Sequence, residues 1–157
     1  MKKHNYEINL EWTGNKGSGT FDYRSYGRNH KIIVENKREP ILGSSDPNFM
    51  GSAARYNPEE LFISSISACH MLWYLHLCSV NGVIVTEYHD RASGIMEESV
   101  DGGGQFKSIT LHPSILVSEP SMIQKAQALH QDANHKCFIA NSLNIPVEHE
   151  AVIKSIQ

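Results

Sequence analysis

Cysteine is scarce: the 157 residues contain three, at positions 69, 78 and 137, and no CxxC pair. That pattern excludes a disulfide-stapled scaffold and a ribbon- or finger-type zinc site. It leaves reduced thiols, some of them reactive or metal-binding. An excess of positive charge is also missing. Fourteen Lys and Arg stand against 17 Asp and Glu, for a net charge of −3 with histidines neutral, so there is no basic field to hold nucleic acid or an anionic membrane. The opening Met-Lys-Lys-His-Asn-Tyr has no apolar run behind it, so no signal peptide is expected and the cytoplasm is the expected compartment. Asp101-Gly102-Gly103-Gly104 lacks the Lys-Ser/Thr of a phosphate loop and reads as a hairpin connection. No GxSxG elbow supports a serine hydrolase. Repeats and linkers are absent as well, which predicts one domain over residues 1–157.

What is present orders itself as ββ(β)–α–ββ–α(α)–β, an α+β fold. Tyr6, Ile8 and Leu10 alternate with polar neighbours as in a half-buried strand; Phe21 with Tyr23, and Lys31 to Glu35, predict two more. From Pro40 to Tyr56 the chain reads as a long loop. Asn57-Pro58-Glu59-Glu60 then supplies a cap, a proline at the first helical position and acidic residues suited to the positive end of a helix dipole. Leu61 to Val80 is apolar nearly all round, and Asn81-Gly82 is a stop signal. A helix of about 22 residues is roughly 33 Å long, enough to cross a bilayer. Cys69, His70, His76 and four serines interrupt the run, and it is read as a buried central helix. Strands are predicted over Val83 to Met96, Phe106 to Val117 and Ile145 to Ile153. A second helix is expected from Glu119 to about Asp132, and Cys137 to Leu143 forms a short third helix or an extension of the second.

A free cysteine on an apolar helix is ordinarily an inert core residue, and Cys78 is read that way. Cys137 is different. It sits in His135-Lys136-Cys137-Phe138-Ile139-Ala140-Asn141-Ser142, at an expected helix start among polar residues, where a helix N-terminus favours a thiolate. Asn57-Pro58-Glu59-Glu60-Leu61, then Ser67-Ala68-Cys69-His70, then Cys137 with Asn141-Ser142 and Pro146-Val147, together resemble the OsmC/Ohr family of organic hydroperoxide resistance proteins, and an OsmC-like branch of it. His70 after the first cysteine and Phe138-Ile139-Ala140 after the second depart from many relatives.

The resemblance implies antiparallel sheets around the long helix, an intertwined homodimer, and a thiol peroxidase acting on organic hydroperoxides. By position it makes Cys69 the peroxidatic cysteine, Cys137 the resolving one, Glu59 the assisting carboxylate and Arg28 the assisting arginine, with Arg55 and Arg24 as competitors. It implies no bound cofactor or metal and an external dithiol reductant, lipoyl groups on carrier proteins among the candidates. The chemistry needs such residues. A thiol is only a few per cent ionised at neutral pH and the thiolate is the nucleophile; a guanidinium favours the thiolate and can orient a peroxide oxygen. A carboxylate helps by fixing the arginine.

Helix arithmetic adds a constraint. Ten residues separate Glu59 from Cys69, about 15 Å along an unbroken helix. Either the helix starts well after Glu59, or the Arg–Glu pair of one chain serves Cys69 of another. Phe62, Ile63, Met71, Leu72 and Trp73, with Phe49 and Met50 of the loop, are expected either to line an apolar entrance for alkyl or lipid hydroperoxides or to be core. Two other readings stay open. Cys69 with His76 and His130 with Cys137, each seven apart, would make a Cys₂His₂ zinc set; stoichiometric zinc would reveal it. A silent scaffold holding an apolar ligand would keep its thiols intact under hydroperoxide.

Overall fold

Asn57 closes a reciprocal cap on the longest element. Its Oδ1 accepts from the Glu60 amide at 2.8 Å, and Glu60 Oε2 accepts from the Asn57 amide at 3.1 Å, so two otherwise orphaned donors are satisfied. Helix α1 runs from Pro58 to Val80 in the computed structural model, which describes residues 1–156. Gly82, at φ 70°, stops it: the Val83 amide bonds the Cys78 carbonyl at 2.9 Å, the closure that a left-handed residue after a helix permits. Asn57→Ala is expected to cost about 1 kcal/mol of stability, readable as a lower urea midpoint.

The chain divides into two units, Met1–Leu61 and Phe62–Gln157. In the first, β1 (Asn9–Trp12), β2 (His30–Ile33) and β3 (Ile41–Gly43) form an antiparallel sheet in the order β1-β2-β3. The first strand begins later than Tyr6, and its residues are all exposed, Leu10 at 60% and Trp12 at 44%. Phe21 and Tyr23 lie in turns, not in a strand. Gly14 and Gly27 meet backbone to backbone: the Gly27 amide donates to Gly14 O at 2.7 Å, and a Cβ on Gly14 would sit 1.8 Å from Gly27 O. The expected loop at 40–56 contains β3 and a 3-10 turn, Pro47–Phe49.

In the second unit each long strand read from the sequence is broken in two. The physical cause is a corner. β4 (Val85–Asp90) and β5 (Ser93–Glu98), β6 (Gly104–Leu111) and β7 (Pro113–Val117), and β8 (Val147–His149) and β9 (Val152–Ser155) are successive pairs whose members lie in different sheets, ordered β4-β7-β9 and β5-β6-β8. Asp90 pins the corner, accepting from Ser67 Oγ at 2.5 Å and from the His112 amide at 2.8 Å. The sheets are mixed, not purely antiparallel, because β8 runs parallel to β6 and β9 parallel to β7. Helix α2 (Ile123–Lys136), preceded by a 3-10 turn at Pro120–Met122, ends four residues later than expected.

Helix α1 is long and apolar enough to cross a membrane by length and composition, yet it carries a core stripe. Ile66, His70, Tyr74, Leu77 and Cys78 are buried, at the i, i+4, i+8, i+11, i+12 spacing of one helix face. The helix is therefore buried along that face and not all round, since Leu72 and Val80 are more than 60% exposed. Tyr74, Leu77 and Cys78 pack with Ile115, Val117, Ala126, Leu129 and Ala133, while Ile66 packs with Ile109 and Leu111. Each large apolar side chain so buried contributes about 1.5–3 kcal/mol before the entropy of ordering it.

Candidate active site

Cys69 projects from the middle of α1 and is half-buried; Cys137 is fully buried. Both thiols are free, and Cys69 is near enough to act on the Cys137 thiol. Cys137 does not start a helix. It ends α2, with extended backbone at φ −66°, ψ 109°, and the following 3-10 turn begins only at Ala140. The expected helix-terminus effect therefore does not apply. Burial first, then Cys69, pushes the Cys137 thiol up to about 11, against the pull of the Ala140 amide, which donates to its Sγ at 3.4 Å. Cys137 is thus held as S–H at neutral pH.

Cys69 opens onto a groove of about 390 Å³ lined also by Leu72, Trp73, His76 and Phe138. Trp73 is met edge-on by Phe138 at 5.5 Å and by His76 at 5.8 Å, and Lys136 Nζ stands 5.6 Å from its ring centre. Of the apolar residues expected at an entrance, Trp73 and Leu72 line this groove. Phe62 instead meets Phe106 at 5.0 Å, tilted by 39°, against the core, and Ile63 and Met71 line a separate cavity with Tyr88 and Asp90. Phe49 and Met50 belong to the first unit, exposed by 38% and 46%.

Arg28 spends its guanidinium on its own loop. Nη1 donates to Tyr26 O at 2.6 Å and Nη2 to Tyr23 O at 2.7 Å, with the plane over both tyrosine rings at 4.1 and 4.3 Å. Glu59 stands in the first turn of α1, and no ion pair joins it to Arg28 among the described residues. Arg55 has a buried Nη1 without a hydrogen-bond partner among the described residues. Arg24 lies in a turn where its amide bonds the Asp22 carboxylate.

His130, one of the zinc candidates, and His149, read only as a strand residue, cluster with His70; His70 and His130 are buried and His149 is half-buried beside them. His70 Nε2 and His130 Nδ1 are 3.0 Å apart, the rings nearly coplanar at 5°, and Tyr74 stacks on His130 at 3.9 Å. His149 lies 5.6 and 5.7 Å from the two rings. Burial foremost depresses the imidazoles, His70 to about 4 and His130 to about 3. The zinc set does not assemble: among the described residues no three His, Cys, Asp or Glu side chains are placed to hold a metal ion together. The signal for His130 was available, because Ala126, Leu129, His130 and Ala133 follow the i, i+3, i+4, i+7 rule of a core face.

A family model described as OsmC-like protein matches residues 51–150, within which both cysteines fall. The chain belongs to the OsmC family. An OsmC-like protein of unknown function from Vibrio cholerae superposes with a TM-score of 0.84 at 28% identity, over 96% of this chain and 100% of that one. An organic hydroperoxide resistance protein from Elizabethkingia anophelis gives a TM-score of 0.68 at 21% identity, over 98% and 99% of the two chains. The organic hydroperoxide resistance protein OhrB of Bacillus subtilis gives 0.63 at 18%, over 96% and 98%. These last two share the OsmC fold with this chain. No curated protein matches the sequence.

Proposed function

We propose that this OsmC-family chain is a cytoplasmic thiol peroxidase that reduces organic hydroperoxides at Cys69, with Cys137 as the resolving thiol. The observation that carries this reading is the nearness of two free thiols, one buried and one open to an apolar groove. The Cys69 thiolate attacks the distal peroxide oxygen. The O–O bond breaks, the alkoxide leaves and takes a proton as alcohol, and Cys69 is left as sulfenic acid. Cys137 then condenses with it, losing water and forming the disulfide, and an external dithiol such as a lipoyl group reduces that bond by exchange. Leu72, Trp73 and Phe138 favour an alkyl or aryl hydroperoxide over hydrogen peroxide by burying its apolar tail.

Two copies complete the site in this proposal. Because α1 already starts at Pro58, Glu59 and Cys69 share one unbroken helix, about 15 Å apart along its axis. Glu59 of one chain, with Arg28 as the first choice of arginine and Arg55 the next, therefore serves Cys69 of the other. Exposed Leu10, Trp12, Ile41 and Leu42 on the N-terminal sheet and Leu72 on α1 supply apolar surface for such a dimer.

The test is disulfide mapping by mass spectrometry after one equivalent of cumene hydroperoxide or hydrogen peroxide. The expected product is a Cys69–Cys137 bridge, formed at least tenfold faster with cumene hydroperoxide. Thiols that stay intact under both oxidants would sink the peroxidase reading.

A further inference from the structure

We propose that the His70–His130 pair is a positioning element that holds Cys137 against Cys69 and lets go of it in acid. The inference rests on the resolving role given to Cys137 above, but its geometry stands by itself. Helix α2 is tied to α1 by Tyr74 Oη donating to Ala126 O at 3.2 Å and, one turn on, by the imidazole pair at 3.0 Å. Cys137 follows His130 by seven residues, two turns along the same helix, and caps it. His70 directly follows Cys69 on α1. One imidazole contact thus couples the two helix segments that carry the two sulfurs.

The pair is built for a single charge state. Two neutral imidazoles hold four ring nitrogens and two protons. One proton lies in the Nε2···Nδ1 bond; the other sits on one outer nitrogen and leaves the second bare. The outer nitrogens, His70 Nδ1 and His130 Nε2, are buried without partners among the described residues. A third proton would create a cation whose outer N–H groups both lack acceptors, and an unpaired buried charge is costly. The surrounding groups give little relief. From α1, Tyr74 presents a ring face, and Cys78 acts on that tyrosine's hydroxyl. From β8, His149 opposes any positive charge. From β4 come Tyr88, whose hydroxyl is buried and unpartnered, and Asp90, the one carboxylate acting on His70. Asp90 has already committed both oxygens, to Ser67 and to the His112 amide. Protonation is accommodated by letting α2 move off α1, and Cys137 moves with it.

The reduced protein is to be treated with 4,4′-dithiodipyridine, which attacks thiols in acid, at pH 7 and pH 4.5, with labelled cysteines located by mass spectrometry. Relative to a free model thiol at each pH, Cys137 labelling is expected to rise at least tenfold at pH 4.5. In the double variant His70→Leu/His130→Phe, which keeps the packing and removes the titration, the profile should be flat. Unchanged relative labelling in the wild type, or the same rise in the double variant, overturns the proposal. Should the variant not fold by circular dichroism, hydrogen exchange on the wild type decides: α2 amides must lose protection in acid ahead of β6 amides, and a uniform loss counts against it. Failure of the peroxidase reading is separately visible, as no peroxide-driven disulfide at pH 7, and leaves the labelling result standing.

Discussion

On the proposed mechanism, Cys69→Ser is expected to abolish peroxide consumption, with kcat/KM falling by at least ~10³-fold, whereas Cys137→Ser is expected to retain one rapid turnover and then stop. The asymmetry follows from burial and protonation. A serine hydroxyl is far less nucleophilic than a thiolate, so removing the attacking sulfur removes the chemical step itself. Cys137 is fully buried and held as S–H with the Ala140 amide on its sulfur, and is therefore not expected to take over as nucleophile toward a substrate in the groove. Its loss is expected to spare the first oxidation and block resolution. The sulfenic acid at Cys69 then persists, trappable by dimedone, or is over-oxidised under excess hydroperoxide. Stopped-flow consumption of cumene hydroperoxide with mass analysis of Cys69 checks both halves. Full multiple turnover by Cys69→Ser would remove the assignment at its root.

Acidification between pH 6.5 and 4.5 is expected to cost on the order of 4 kcal/mol of stability, enough to lower Tm by about 10 °C. The sign follows from proton counting. His70 is depressed to about 4 and His130 to about 3, while an unfolded histidine titrates near ~6.5. Above that value neither state is protonated and the stability is fully present. As pH falls below it the unfolded chain binds protons that the folded chain refuses, so stability drains away until the folded pKa values are reached. His149, depressed by burial in the same direction, adds to the trend. Urea midpoints measured across this window check it. A wild type with no more acid sensitivity than the His70→Leu/His130→Phe variant would show that the stack is not the cause.

Helix α1 was legible because its signals are local: a cap at Asn57, a proline at the first position and Asn81-Gly82 at the end all act within one turn. The corners were not, because β-branched runs such as Phe106 to Val117 keep their alternation while the chain passes from one sheet to the other at His112. Nothing in a period-two pattern records which sheet receives it. Cys137 was misplaced at a helix start because His135-Lys136 reads equally as polar flanking sequence or as the basic last turn of α2, and the basic-last-turn reading is the one the fold adopts. The nearness of the two thiols could only be expected through family likeness, since they lie 68 residues apart in the chain. Trp73 at the groove and Phe62 against Phe106 share one face of a helix, eleven residues or three turns apart, so helical period alone does not tell which of them meets the groove.

The two short strands β8 and β9 have a bearing on biosynthesis. Joined by Glu150–Ala151, they complete two different sheets, one beside β6 and the other beside β7. Until residues 147–155 have left the ribosome, both sheets stand two strands wide with an open hydrogen-bonding edge. A nascent chain paused in that stretch is sticky on two sides at once, so slow codons or premature stops there favour aggregation over folding.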